Sequence, residues 1–69
     1  MKITHLIYSL CSGGAERFVV SLANQQAAMG HDVSVCILLS DTDENYTFNL
    51  QFLDSVVGFH SFGFTKGFS

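Results

Sequence analysis

Proline and tryptophan are absent from this sequence, and lysine and arginine together number three. The three are Lys2, Arg17 and Lys66. Six acidic residues outnumber them, and they form no basic cluster, so the electrostatic footprint by which proteins hold nucleic acid is missing. Cysteine is scarce as well. Cys11 and Cys36 are too few for a disulfide framework, and no second Cys/His pair supplies zinc spacing. No apolar run approaches the ~18 residues that a membrane span needs. Charged residues make up only 13% of the chain against 48% hydrophobic, a balance that argues against intrinsic disorder.

What is present is an apolar, aromatic chain with seven phenylalanines, enough for one packed core. At this length a domain buries only about 60% of the surface its unfolded chain exposes, so marginal stability is expected without a staple, a metal or a partner. The first residues have the outline of a signal peptide: Lys2, an apolar stretch, then small residues from Ser12 to Ala15. His5 interrupts that stretch, which is short for such a segment, and the residues after it continue the pattern of a folded unit. A first strand is therefore expected there.

Residues 2–10, KITHLIYSL, form a nearly continuous apolar run of the kind found in strands buried on both faces of a parallel sheet. From Ala15 to Met29 the period changes to that of a helix, with Phe18, Val19, Leu22, Ala23 and Ala27 as its apolar positions. Glu16 in the first turn complements the helix dipole. Ser12 or Gly13 is the expected N-cap, and Gly30 the residue that closes the helix. DVSVCILL, with β-branched Val33, Val35 and Ile37, reads as a second strand. After the polar turn SDTDEN, residues 46–53 fit a short helix or, through the Phe48, Leu50, Phe52 alternation, a strand. Residues 55–62, SVVGFHSF, read as a third strand, and GFTKGFS ends the sequence with no further element.

The order β-α-β-(α)-β predicts an α/β fold, a partial Rossmann-like parallel sheet with right-handed crossovers. Parallel pairing of the first two strands sets Cys36 opposite the region of His5. Cys11 then lies roughly 20 Å further along at ~3.3 Å per residue, beyond the ~7 Å between Cα atoms that a disulfide tolerates. Two free thiols are expected.

The loop Cys11–Glu16, CSGGAE, is the one constellation with chemistry in it. In open α/β sheets ligands bind beyond the carboxyl ends of the strands, where this loop falls. Backbone N–H groups of Gly13, Gly14 and Ala15 at a helix start are oriented to receive an anion, and paired glycines let a phosphate approach without an intervening Cβ. The alternative is a turn that uses glycine only to pass from strand to helix. The dinucleotide fingerprint GxGxxG does not fit any register here, because Cys11, Ala15, Glu16, Arg17 and Val19 occupy its glycine positions. Asp41 lies past strand two but well beyond the ~20-residue distance of a ribose-binding acid. The Lys-Ser/Thr pair of a P-loop is also missing.

Taken in order, the apolar strand, SGGAER, a helix containing LAN, and GHDVSV leading into strand two resemble the opening of family 4 glycosyltransferases, which have the two-domain GT-B architecture. GFTKG at 63–67 is similar to the end of the family's next strand. The resemblance implies a retaining transferase that moves a sugar from a nucleotide-sugar donor to a sugar or lipid-linked acceptor, in the cytoplasm or peripherally at the inner membrane face. It implies that Gly13 and Gly14, and to a lesser degree Ala15, face the donor's pyrophosphate and the acceptor. Arg17 also matches; it either attracts phosphate or makes surface ion pairs. Residues 1–69 are expected to be an N-terminal fragment of the acceptor-side domain, an incomplete GT-B N-terminal domain, with no catalytic residue, metal or cofactor of its own.

In the usual strand order for such sheets the first strand pairs with the second and with a fourth. Without that fourth strand the sheet is expected to show an unpaired apolar edge, a site for self-association or a partner. The bare alternatives to the transferase are a small nucleotide- or phosphate-binding α/β domain and a non-catalytic interaction module. His5 is expected in or beside strand one, His31 in the helix–strand turn and His60 in strand three, none of them functional. Asn45-Tyr46-Thr47 fits the N-glycosylation pattern, which has no meaning in a cytosolic protein. The SDTDE cluster lacks the spacing and glycine of a calcium loop and reads as a solvated turn.

Overall fold

A computed structural model describes residues 1–65. In chain order it contains β1 (Lys2–Ile7), α1 (Gly14–Ala28), β2 (Asp32–Leu39), a 3₁₀ helix (Phe48–Phe52) and β3 (Gly58–Phe64). The strands form one sheet in the order β1-β2-β3, and both neighbouring pairs are parallel. The result is a small α/β domain with a central β2.

Strand β2 shows why this sequence folds as it does. Its residues alternate between buried and half-buried, so Val33, Val35, Ile37 and Leu39 all point one way into the core. The β-branched side chains at three of those positions suit a pleated surface packed on one side. Val20 and Ala23 of α1 close over them, joined by Leu10 and Val57, with Leu50, Leu53 and Phe59 packed at the margin. The helix and the 3₁₀ segment therefore cover the same face of the sheet.

Among the described residues no element covers the opposite face. Leu6 is 64% exposed and Phe62 50%, and β1 alternates between exposed and half-buried. This corrects one expectation, since β1 is not buried on both faces; the described residues form two layers, a sheet and the helical segments on one side of it. A continuous apolar run signals two-sided burial only where elements pack on both sides, and here only one side is covered.

Several boundaries also shift. β1 stops at Ile7 instead of Leu10, because the Tyr8 carbonyl accepts from both Leu38 N and Leu39 N (3.1 Å each) and ends the ladder. Leu10 is fully buried as a loop anchor, its N–H donating to the Tyr46 carbonyl at 2.7 Å. β3 begins at Gly58 instead of position 55, since a turn closed by Val57 N–H on the Asp54 carbonyl (3.0 Å) precedes it. In α1, Phe18 is 65% exposed and Leu22 36%; the buried stripe runs instead through Val20 and Ala23. At about 100° per residue Phe18 stands well round the helix from Ala23.

The helix closes as expected. Gly30 takes φ 95°, with Gly30 N–H on the Ala27 carbonyl at 3.0 Å and His31 N–H on the Gln26 carbonyl at 3.2 Å, the paired bonds of a Schellman motif. A second positive-φ glycine, Gly63 (φ 80°), sits in a bulge of β3. Ser61 Oγ donates to the Leu39 carbonyl at 2.7 Å and accepts from Gly63 N at 3.1 Å, which holds the bulge open. Gly63→Ala is expected to cost about 1 kcal/mol, the penalty of a Cβ in this backbone region. Urea unfolding should show a lower midpoint with unchanged slope; an unchanged midpoint would mean that the bulge is not held in this conformation. GFTKG extends past Phe64 into residues 66–69, which lie outside the described residues.

Candidate functional site

The Cys11–Glu16 loop lies where the sequence places it, at the carboxyl end of β1 and the start of α1. Its approach is built by a knot of polar groups. Ser9 is buried, and its hydroxyl accepts from Cys11 N at 3.3 Å and donates to Cys11 Sγ at 3.0 Å. Asn49, from the 3₁₀ helix and 2% exposed, donates through Nδ2 to the Cys11 carbonyl at 2.7 Å. Its own N–H donates to the Leu10 carbonyl at 2.9 Å. The segment after β2 thus clamps the segment after β1.

Gly13 is the N-cap residue, with extended backbone and no side-chain cap bond. Arg17 N–H donates to the Gly13 carbonyl at 3.1 Å, which starts the helical ladder. The amides of Gly13, Gly14 and Ala15 precede that ladder and donate to no group among the described residues. The two glycines differ in what surrounds them. A Cβ on Gly13 would meet Glu16 Oε1 at 2.5 Å, whereas a Cβ on Gly14 would meet nothing within 4 Å. Gly13 is needed for the seat of Glu16; Gly14 opens onto free space.

Glu16 is the third helical residue, the position from which an acid reaches back over the N-cap. Its carboxylate offsets the positive end of the helix dipole. The anion that this helix start meets in the structure is therefore the protein's own. An incoming phosphate has Gly14 as its open side and Glu16 as a competitor of like charge.

Arg17 does not make the surface ion pair that was one of its two expected roles. Its guanidinium carbon stands 3.7 Å from the centroid of the Phe52 ring, and it pairs with no carboxylate among the described residues. A cation–π contact at an exposed site contributes roughly 0.5–1 kcal/mol. The same wall carries Asn24, whose Nδ2 donates to the Phe52 carbonyl at 2.8 Å and whose Oδ1 accepts from Asp54 N at 2.8 Å. Arg17 and Asn24 together dock the 3₁₀ segment against α1.

The three histidines fall in the segments expected from the sequence. His5 in β1 bonds Gln26 of α1 (Nε2 to Oε1, 2.7 Å), His31 is in the turn before β2, and His60 in β3 stacks edge-on against Phe62. Cys11 and Cys36 are both free, and Cys36 pairs with Leu6, one place from His5. Asn45 is exposed, in a turn where its N–H donates to Asp43 Oδ1 at 2.8 Å. Ser40 and Thr42 hydroxyls bond each other at 2.8 Å in the same solvated region. Among the described residues no three His, Cys, Asp or Glu groups gather for a metal, no enclosed pocket forms, and no helix is long and apolar enough to cross a membrane.

Asn49 clamps the loop and Asn24 holds the 3₁₀ segment that carries it, and neither has a role in the sequence reading above. The only signal for Asn49 was an amide within the apolar run Phe48–Leu53. Compared with known proteins, the chain matches no family model, no curated protein and no solved structure.

Proposed function

We propose that the Gly13–Ala15 loop is the phosphate-facing wall of a nucleotide-sugar site, in a retaining glycosyl transfer to a sugar or lipid-linked acceptor. The observation that carries this reading is the free space in front of Gly14 beside three amides without partners among the described residues. Donors of this kind at a helix start, beyond the carboxyl edge of a parallel sheet, form the usual setting for a phosphate. The glycosyl part of the reading rests on the resemblance of SGGAER and GHDVSV in sequence and on the β-α-β order that accompanies them. The loop brings backbone donors and one carboxylate but no second acid and no histidine. The chain alone is accordingly proposed to bind and not to turn over.

The test is an NMR titration of the chain with uridine and guanosine diphosphate sugars, with inorganic pyrophosphate, and with NAD(H) and FMN as rivals. Shifts confined to the amides of Gly13, Gly14 and Ala15 with the sugar nucleotides support the proposal. Tight binding of a redox cofactor instead, or an unresponsive loop, overturns it, and sugar transfer by this chain overturns its silence. Glu16→Gln removes the competing carboxylate and is expected to tighten pyrophosphate about threefold, the size of one charge–dipole interaction at a helix end. Weaker binding in that variant would show that Glu16 helps hold the ligand rather than opposing it.

A further inference from the structure

Among the described residues β1 pairs with β2 alone, so its other side is an open edge. Asp32 N–H donates to the Met1 carbonyl at 2.9 Å. In a parallel ladder bonding alternates along the strand, so Ile3 and His5 face β2 while the peptide groups of Lys2, Thr4 and Leu6 turn outward. Of the devices that blunt edges elsewhere, β1 has a single lysine at its first position, Lys2, and no proline and no bulge. β3, at the other margin, is bulged at Gly63.

A second observation, on the helix, points the same way. Phe18, Leu22 and Met29 lie at i, i+4 and i+11 and are all exposed. Gln26 marks the β1 side of α1 through its bond to His5, and Arg17 and Asn24 mark the side of the 3₁₀ segment. At about 100° per residue, Leu22 and Met29 fall on the Gln26 side of Ala23 and away from Asn24. The open strand edge and the apolar helix flank therefore look in one direction. Whatever covers both must offer a strand edge with an apolar helix flank beside it.

A second copy of this chain offers that combination, and we propose that two copies pair β1 to β1 in antiparallel fashion about a two-fold axis at Thr4. A two-fold interface uses the same patch on both subunits. Centred on Thr4, the outward peptide groups of Lys2, Thr4 and Leu6 meet those of Leu6, Thr4 and Lys2 of the other copy. Residues of one parity stay on one face, so both helices remain on the same side of a continuous sheet. With strands about 4.8 Å apart, a helix seated over β1 and β2 stands roughly 10 Å from its mate, within helix-packing distance. A specific interface buries on the order of 1,000 Å², so the exposed helix flanks have to contribute beside the paired edge. The pairing leaves the Gly13–Ala15 loop uncovered and does not depend on the function proposed for it.

Sedimentation equilibrium of the chain across micromolar to millimolar concentrations tests this, with circular dichroism as the control for folding. The unmodified chain should pass from monomer to dimer without larger species. Thr4→Pro removes an N–H that points away from β2, and Phe18→Glu charges the helix flank; each should weaken the dimer about tenfold or more, or roughly 1.4 kcal/mol. Because the two variants lie on different elements, a folding defect in one leaves the other informative. A monomer throughout the range overturns the proposal. So does a dimer that resists both variants but is lost with Phe62→Lys, which would place the contact on the bare face of the sheet.

Discussion

Ile37→Ala is expected to remove about 3 kcal/mol of stability, within the range for truncating a fully buried aliphatic side chain. Ile37 has no exposed surface and stands in the middle strand, between Ile7 of β1 and Ser61 of β3. Its side chain belongs to the core cluster beneath α1. A domain of this size has a total stability of only about 3–10 kcal/mol, so the loss removes from about a third to all of it. Val56→Ala serves as the comparison, since Val56 is 74% exposed and such surface changes stay within about 0.5 kcal/mol. Urea unfolding of the pair measures the difference. Similar midpoints for both variants would mean that the helix-side core does not hold the fold together.

Asn49→Ala should cost about 2 kcal/mol, the penalty of leaving a part-buried carbonyl without its donor and a small cavity at a buried position. The lost bond is the one from Nδ2 to the Cys11 carbonyl; the weaker 3.5 Å contact to the Leu10 carbonyl contributes little at that distance. The backbone bond from Asn49 N to Leu10 survives the substitution, so the loop should loosen without detaching. Hydrogen exchange reads this directly: the hydrogen-bonded amides of Leu10, Cys11 and residue 49 should exchange faster, while those of β2 keep their protection relative to global stability. Uniform acceleration across β2 and the loop would count against a local clamp. Asn49→Leu separates packing from hydrogen bonding, because it fills the site and still leaves the carbonyl unpaired.

These two residues mark opposite ends of what could be read without coordinates. Ile37 was legible because Val33, Val35 and Ile37 repeat at the strand period, and a repeat of β-branched residues states its own face. Gly30 was legible for a local reason too, as a residue whose backbone freedom closes a helix. Asn49 was not, because an amide in an apolar run has no periodicity. Its partner, Cys11, is 38 residues away along the chain. Phe18 and Leu22 were read as core from their spacing, yet spacing selects a stripe and does not say which of two neighbouring stripes faces inward.

The loop at Cys11–Glu16 divides in the same way. Two adjacent glycines before a helix establish that the backbone there is accessible, whatever approaches it. Only the folded chain distinguishes them: Glu16 turns back over Gly13, while Gly14 faces open space. Arg17 likewise advertised a charge, and the fold supplied a ring instead of a carboxylate.

By itself, then, the amino-acid order determined the three strands and the long helix, their α/β class and their parallel pairing, since these arise from period, β-branching and glycine placement within short windows. Which face of the sheet stays bare, which flank of α1 looks outward beside the open edge of β1, and which amide clamps the glycine loop were decided by tertiary structure alone. Each depends on contacts between segments far apart in the chain, where no local periodicity reaches.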